Sequence, residues 1–447
     1  LHLSIRRQRQ MCIRDRCLFI KNQHFNYTTD VITPRHLGIF KIFPPISEEL
    51  ILLEFLPFGL FFSVCVLLMV GYPVALTMSG VSLLFAAIGA MGGAFDSAYI
   101  TLIPNRIFGI LVNQNLFAVP LFVFMGSMLE KSKIAESILK NKELLFRGLP
   151  GGLGLAVILV GMLLAASTGI VGATVVTLGV LALPTMLSSG YRPALACGTL
   201  CATGTLGQII PPSICLVLLG EVISNAYQQS QLDAGIFAPS FVSIGDLFAG
   251  ALIPGLLLVI GYGLYVSAVA ILHPHDAPSS RELSIELDKR ELLTGILKGL
   301  LPPVFLVLAV LGSILKGIAT PTEAASIGAI GAIFLAFVKR SLSFIVLQEV
   351  SLETMRTTSM IYLILVGATI FSSVFRGFGG EELIGILLSA IPGGALTATF
   401  AVMLFIFILG FILDFIEIWL VCTYYRSNLL IVKCISHEIN HLTHLFK

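Results

Sequence analysis

The stretch Thr203–Gly220 reads TGTLGQIIPPSICLVLLG and lies in the middle of a strongly apolar chain. It is apolar enough to sit in a bilayer, yet it contains Gly204, Gly207 and the pair Pro211-Pro212. Proline inside a helix lacks an N–H donor, and its ring clashes with the carbonyl one turn earlier. Two consecutive prolines therefore predict that the helix ends here. Because unpaired backbone is tolerated at membrane depth only where protein buries it or a cavity solvates it, we expect a broken helix inside the protein.

The composition indicates a membrane protein. Of the 447 residues, 56% are hydrophobic and 12% are charged, whereas soluble domains carry about 25% charged residues. The mean hydropathy is +0.97. Apolar runs of about 20 residues, the length that crosses a bilayer, recur between positions 52 and 420. The sequence predicts an all-α polytopic membrane protein, and its net charge of +2 argues against nucleic acid or an anionic surface as a partner.

The apolar runs also predict where helices lie. They fall near residues 52–70, 73–91, 116–130, 245–271, 299–316, 318–338, 360–375 and 398–421. Two interrupted regions remain, at about 150–190 and 192–222. The basic segment 131–147 is expected to be a cytoplasmic loop by the positive-inside rule. The polar segment 273–298 is expected to link two halves of the protein.

An internal repeat connects the two halves. RGLPGGLGLAVILV, from Arg147, resembles SAIPGGALTATFAV, from Ser389, and both run from Pro-Gly-Gly into an apolar helix. Upstream, PLFVFMGSMLEKSKIAE, from Pro120, corresponds loosely to YLILVGATIFSSVFRGFGG, from Tyr362. Two unrelated loop–helix junctions are the alternative, but the matching order favours a duplication. Two halves that each carry an interrupted segment are typical of a secondary transporter with its site at the repeat interface.

The candidate site is built from both interruptions of the first half and from one of the second. AASTGIVGATVV, Ala165–Val176, supplies small and hydroxyl residues that form either a hairpin tip or ordinary small-residue helix contacts. Freed carbonyls and hydroxyls suit a hard cation such as Na⁺, and freed N–H groups suit an anion. A carboxylate in an apolar run is functional by default. The predicted substrate and Na⁺ ligands are Ser167, Thr168, Gly169, Gly172, Thr174, Thr203, Gly204, Gly207, Pro211, Pro212, Ser213, Asp414 and Glu417.

Two other functions compete with transport. SHEINH matches H-E-x-x-H, so His437, Glu438 and His441 raise an intramembrane zinc protease as the alternative. Zinc needs a third protein ligand, and only His444 lies nearby. A non-catalytic membrane scaffold is the other possibility, but it would need no broken helices. The cysteines are scattered singly and predict no disulfide framework. We therefore expect no cofactor and no transition metal, and a transporter rather than an enzyme.

Four motifs together resemble the large permease subunit, DctM type, of tripartite ATP-independent periplasmic (TRAP) transporters. They are GYRPALACGTLCATGTLGQIIPPSICLVLLGE, FAVPLFVFMGSMLEKSKIAE, LAASTGIVGATVVTLGVLALPTML and GIATPTEAASIGAIGA. The resemblance covers about Pro57–Ile418, and GFILDFIEI is closest to the branch for mannitol, chloroaromatic or keto-acid uptake.

The resemblance implies an ion-transporter-like fold with inverted repeats, re-entrant hairpins and broken helices that works as an elevator. It also implies Na⁺ symport of an organic acid such as a C4-dicarboxylate across the bacterial inner membrane. A small membrane subunit of DctQ type and a periplasmic binding protein of DctP type are the implied partners. In this scheme the first hairpin tip maps to 167–174, the first broken helix to 203–213, and the second hairpin to 393–417.

Both ends of the chain depart from this pattern. Residues 1–48, which include RRQRQMCIRDR, are expected to be a non-native or disordered segment. The membrane repeats are expected at 49–272 and 299–421, with 273–298 as the linker and 422–447 as an atypical tail. The second broken helix that the family carries has no counterpart after Ile418, so the second repeat and its Na⁺ site are expected to be incomplete.

Overall fold

The computed structural model describes residues 48–131, 150–169, 171–233, 235–278, 289–392 and 394–411. The chain divides into two compact units, Leu1–Ile51 and Leu52–Lys447. The account below concerns the second unit. The boundaries predicted for the repeats, linker and ends stay predictions.

Every regular element in the described residues is helical. In chain order the α-helices are α1 Glu48–Met69, α2 Val74–Met91, α3 Ala98–Thr101, α4 Ile103–Leu111, α5 Ala118–Lys131, α6 Gly152–Thr168, α7 Val171–Ser188, α8 Pro193–Ile209, α9 Ile214–Asp233, α10 Ile244–Leu272, α11 Lys289–Leu315, α12 Pro321–Val338, α13 Phe344–Gly377, α14 Gly380–Ser389 and α15 Gly394–Leu409. A 3₁₀ turn, Gln114–Phe117, precedes α5.

Several of these helices are long and apolar enough to cross a membrane. Among the described residues, five segments qualify by length and composition: Val74–Met91, Pro193–Asn225, Ile244–Leu272, Pro321–Val338 and Phe344–Gly377. The second of these segments consists of α8 and the first part of α9. A sixth arises if Ala98–Leu111 and Gln114–Lys131, bent by 49° at their junction, form one span. Large apolar side chains also cover much of the outer surface, for example Phe305, Phe334 and Phe407. The chain is therefore a multi-pass, all-α membrane protein, as predicted.

Helix ends follow local sequence chemistry. α10 begins at a capping box in which Ser243 Oγ accepts from the Asp246 N–H and the carboxylate accepts from the Ser243 N–H. α12 begins in the same way, with Thr320 and Glu323 as the reciprocal pair. Such pairs satisfy N–H groups that would otherwise lack partners at a helix start. The two capping boxes fix the residues at which the spanning helices α10 and α12 begin.

The apolar runs predicted most helices but not all. The helices near residues 52–70, 73–91, 116–130, 245–271 and 318–338 are confirmed with small shifts of their ends. The predicted 299–316 falls almost wholly within α11, which begins ten residues earlier. The predicted 398–421 is helical as part of α15 up to Leu409, and positions after 411 lie outside the described residues. α13 is much longer than the predicted 360–375, because it also includes the helical stretch QEVSLETMRTTS, residues 348–359, whose polar side chains interrupt the apolar run. The helices α3, α4 and α14 were not predicted. Pro104, Asn105 and Arg106 interrupt the apolar pattern of α4, which hides a short helix from a hydropathy criterion.

Two parallel helix pairs hold the halves together. A Cβ on Gly367 of α13 would lie 2.6 Å from the Ala75 carbonyl of α2, and one on Gly89 would lie 2.7 Å from the Phe378 ring that follows α13. α12 runs along α5 in the same sense. The Thr322 hydroxyl donates to the Gln114 carbonyl over 2.9 Å, and a Cβ on Gly328 would meet the Met125 sulfur at 2.6 Å. Two helices of the first half, α2 and α5, therefore pack against two helices of the second half, α13 and α12.

Candidate functional site

The predicted hairpin tip is a tight turn between α6 and α7. α6 ends at Thr168, and Gly169 follows with a left-handed backbone, φ 63°, its N–H donating to the Ala165 carbonyl over 3.0 Å. Glycine adopts this conformation without steric cost, which is why it commonly follows the last helical residue. α7 begins at Val171, only two residues later. α6 has 17 residues, or about 25 Å at 1.5 Å per residue. That length is short for a full span and typical of a re-entrant hairpin.

The predicted break is present between α8 and α9. α8 ends at Ile209, Ile210 is extended with φ −82° and ψ 122°, and α9 begins at Ile214. The peptide bond between Pro211 and Pro212 is cis. All four residues from Ile210 to Ser213 are buried. This confirms a broken helix enclosed by protein rather than one that faces lipid.

Ser213 connects the two halves of the broken helix. Its hydroxyl donates to the Gln208 carbonyl over 2.6 Å and receives the Leu216 N–H over 3.4 Å. Its own carbonyl accepts the Val217 N–H over 3.1 Å. The side chain is fully buried, at 0% exposure. One hydroxyl therefore satisfies a freed carbonyl at the end of α8 and a freed N–H at the start of α9.

The hairpin lies directly on the break. A Cβ on Gly207 would sit 2.8 Å from the Ala165 carbonyl oxygen, and a Cβ on Gly204 would overlap the Val175 side chain. A Cβ on Gly169 would sit 3.2 Å from the Ile214 side chain, at the first residue of α9. Gly207 lets α8 contact the backbone of α6, and Gly204 and Gly169 leave room for the Val175 and Ile214 side chains. The structure thus brings the hairpin tip and the helix break into one place.

Not every predicted ligand faces this contact. Thr203 is 0% exposed, but its hydroxyl donates to the Thr199 carbonyl over 2.6 Å within the same helix. Thr174 is also buried, whereas Gly172 is exposed with open space beside it. Ser167 and Thr168 form the last turn of α6. Their roles in binding, like those of Gly169, Gly204, Gly207, Pro211, Pro212 and Ser213, stay predictions.

The carboxylates predicted for the second half lie outside the described residues. Asp414 and Glu417 follow position 411, where the description ends. The same is true of His437, Glu438 and His441, the residues that raised the zinc protease. Among the described residues, no group of three or more His, Cys, Asp and Glu side chains is placed to hold a metal.

The chemistry available at the break is that of the main chain. The end of α8 presents carbonyl oxygens, and the start of α9 presents N–H groups together with the positive end of its dipole. Carbonyl and hydroxyl oxygens are ligands for a hard cation, while a helix start favours an anion. The arrangement can hold a cation and an anionic group side by side without any charged side chain.

Sequence reasoning missed two polar links next to this site, both made by carboxylates that are only partly buried. Glu221, in the second turn of α9, accepts from the Asn113 and Asn115 side chains over 2.7 and 3.0 Å. Glu130 of α5 accepts from the Thr177 hydroxyl of α7 over 2.5 Å. Both glutamates follow apolar runs, LVLLGE and FMGSMLE. The rule that draws attention to Asp414, that a carboxylate in an apolar run is functional, would also have found them.

Comparison with known proteins decides the family. The chain matches the profile of the DctM component of the tripartite ATP-independent periplasmic transporters over residues 61–425. The chain belongs to this family. The match extends past Ile418, the point where the sequence resemblance was expected to end. Membership also favours a transporter over the zinc protease.

Individual relatives agree with the family match. The C4-dicarboxylate TRAP transporter large permease protein DctM of Pseudomonas aeruginosa is 32% identical over 270 residues, which cover 60% of this chain and 58% of that protein. The sialic acid TRAP transporter large permease protein of Vibrio cholerae is 30% identical over 306 residues, 68% of this chain and 65% of its own length. The chain thus spans less than two thirds of either relative. Both are named as permeases, not as enzymes.

Among solved structures, the Alcanivorax borkumensis YdaH transporter superposes with a TM-score of 0.48 and 14% sequence identity. The superposition covers 75% of this chain and 73% of that one.

Proposed function

We propose that this DctM-family chain is the large permease of a Na⁺-coupled, binding-protein-dependent TRAP transporter that imports an organic acid across the bacterial inner membrane. A small DctQ-type membrane subunit and a DctP-type periplasmic binding protein are its proposed partners. The relatives support the solute class, since a C4-dicarboxylate and a sialic acid are both organic anions. No further cofactor is proposed.

One observation carries the proposal: the hairpin tip at Gly169 packs onto the first residue of α9 at the helix break. Main chain at this place is buried by protein, so its polar groups need partners that lipid cannot give. Ser213 satisfies one carbonyl and one N–H at the break. Na⁺ near the carbonyl end of α8, and the solute carboxylate near the N–H end of α9, would supply partners for the other freed groups. The two ligands would then compensate each other's charge in a site of low dielectric.

The Na⁺ gradient also supplies the driving force for solute uptake. Each positive charge carried in excess of the solute's negative charge gains roughly 2.3 kcal/mol per 100 mV of membrane potential, and the Na⁺ concentration gradient drives the charge-compensated part. In the proposed elevator, the block that contains the hairpin and the broken helix moves with its ligands while the rest of the protein stays fixed. Charge compensation matters here because an uncompensated ion would make the movement costly.

The first test measures Na⁺ binding by the purified chain in lipid nanodiscs. The midpoint of thermal unfolding should rise with added NaCl and not with KCl or choline chloride at the same ionic strength, since a ligand that binds only the folded state stabilises it. Ser213→Ala should raise the half-saturating Na⁺ concentration by about tenfold, the effect of losing roughly 1.4 kcal/mol. Ser188→Ala is the matched control, because Ser188 is an exposed serine at the far end of α7.

The second test measures transport. Proteoliposomes that contain the chain and its membrane partner should take up succinate, a C4-dicarboxylate, or another organic anion only with an inward Na⁺ gradient and a loaded binding protein. Uptake that is indifferent to both Na⁺ and the binding protein contradicts the proposal. His437→Ala should leave uptake unchanged, whereas a zinc protease would lose its activity.

A further inference from the structure

Glu221 lies at the centre of a polar cluster of four residues, Glu221, Asn113, Asn115 and Asn225. Asn113 Nδ2 donates to Oε1 over 2.7 Å and Asn115 Nδ2 donates to Oε2 over 3.0 Å. Asn225 Nδ2 donates to Oε1 over 2.9 Å and to the Glu221 carbonyl over 2.8 Å. Amide donors thus engage both carboxylate oxygens. Bonds to an ionised acceptor are roughly twice as strong as bonds between neutral groups.

The cluster joins elements that are far apart in sequence. Asn113 and Asn115 belong to the corner between α4 and α5, where the path bends by 49°. Asn113 fixes this corner itself, because its Oδ1 accepts the Asn115 N–H over 2.9 Å. The same corner receives the Thr322 hydroxyl of α12 at the Gln114 carbonyl. Glu221 therefore ties α9 to a corner that is already fixed to the second half of the protein.

The other face of α9 is held by packing at the same height. A Cβ on Gly220 would lie 3.0 Å from the side chains of Ile244 and Leu247 of α10. Gly220 and Glu221 are adjacent, so α9 is clamped between α10 and the corner. The clamp lies two helical turns after Ile214, the residue on which the hairpin tip rests. The position of the start of α9 is therefore set by this clamp as well as by the break.

We propose that Glu221 is a positioning residue: its carboxylate, held by Asn113 and Asn115, holds the outgoing half of the broken helix in register with the hairpin tip. Releasing the carboxylate lets α9 shift and opens the break. The consequence for ligand binding rests on the proposed function, whereas the mechanical link does not. Glu221 does not touch the break and binds no ligand itself.

The experiment measures hydrogen–deuterium exchange of the peptide that covers residues 208–217 in the full chain in nanodiscs. Glu221→Ala should speed exchange of this peptide about tenfold, and Asn113→Ala combined with Asn115→Ala should do the same. The triple variant should add little, because the substitutions remove the same link. Asn225→Ala is the matched control, since it removes a bond to the same carboxylate from within α9 and should leave exchange unchanged.

Glu221→Gln is the conservative variant and guards against loss of folding. Its amide oxygen still accepts one bond, and an Asn side chain that turns over accepts the new N–H, so exchange should return close to that of the parent chain. In the nanodisc assay, Glu221→Ala should also raise the half-saturating Na⁺ concentration by about tenfold, and Glu221→Gln should restore it. Unchanged exchange in Glu221→Ala, or equal exchange in Asn225→Ala, overturns the inference. If Na⁺ has no effect on the parent chain, the proposed function fails while exchange still decides the link.

Discussion

At the residue scale, a few polar side chains bind backbone groups or other polar groups that lipid cannot solvate. Ser213 and Glu221 each serve several partners, and Tyr191 does so at the entry to the hairpin. The Tyr191 side chain is 2% exposed, and its hydroxyl accepts the Gly154 N–H of the first turn of α6 over 3.2 Å. Burial raises the pKa of this phenol, while bonds from the backbone of Gly154 and Leu153 lower it by less. Tyr191 therefore fixes where the first arm of the hairpin begins.

Tyr191→Phe should lower the free energy of unfolding by about 1 kcal/mol, the net value of one hydrogen bond. It should also remove a dependence on alkaline pH. Because the folded pKa is raised, the unfolded chain loses the phenolic proton first, so this stability is complete below a pH of about 10 and is lost as pH rises towards the folded pKa. Thermal unfolding between about pH 8 and pH 11 measures both effects. The exposed Tyr72 gives the control, Tyr72→Phe, and equal responses of the two variants would contradict the prediction.

At the element scale, the site depends on how closely two helical segments approach each other. α8 carries glycine on its inner face at positions 204 and 207, against the hairpin, and also at 198 on its outer face, where nothing lies within 4 Å. The sequence alone does not distinguish these glycines, since all three lie within one helix. Only the packing shows that Gly204 and Gly207 lie in close contact with the hairpin, whereas Gly198 has no neighbour.

Gly198→Ala and Gly207→Ala should therefore have opposite effects. Alanine has a helix propensity better than that of glycine by up to about 1 kcal/mol, so Gly198→Ala should stabilise the protein. At Gly207 the new Cβ meets the Ala165 carbonyl at 2.8 Å, and backbone cannot give way as a side chain can. Overpacking of this kind costs about 1–3 kcal/mol, so Gly207→Ala should destabilise it. Unfolding midpoints in nanodiscs give the sign, and stabilisation by both variants would be the contrary result.

At the scale of the whole molecule, helices of each half pack against helices of the other half. α2 packs along α13 and α12 packs along α5, each pair in parallel, and the Lys131–Glu349 ion pair over 3.6 Å joins the end of α5 to the start of α13. α6 and α15 also begin at the second glycine of a Pro-Gly-Gly sequence. If α2 corresponds to α12 and α5 to α13, the α2–α13 pair corresponds to the α12–α5 pair. A duplication with two-fold pseudosymmetry predicts this reciprocal packing.

The packing of α2 against α13 makes the contact between the halves sensitive to added side-chain volume. Gly367→Ala would place a Cβ 2.6 Å from the Ala75 carbonyl oxygen and should cost about 1–3 kcal/mol of stability. Gly312→Ala is the control, because Gly312 of α11 has nothing within 4 Å. Resistance of detergent-purified protein to heating compares the two. A Gly367→Ala variant as stable as Gly312→Ala would show that this joint contributes little.

The sequence by itself determined the all-α membrane character, most spanning helices and the break at Pro211-Pro212, and it favoured a hairpin tip within 167–174. These follow from local physics, since hydropathy sets insertion and proline and glycine set backbone geometry. It did not determine that Gly207 touches Ala165, that Glu221 binds Asn113 and Asn115 more than a hundred residues away, or that Thr203 bonds within its own helix. Those contacts depend on which helices meet and in which rotation. Only the tertiary structure decided them, because packing free energy depends on residues distant in the chain that no local pattern encodes.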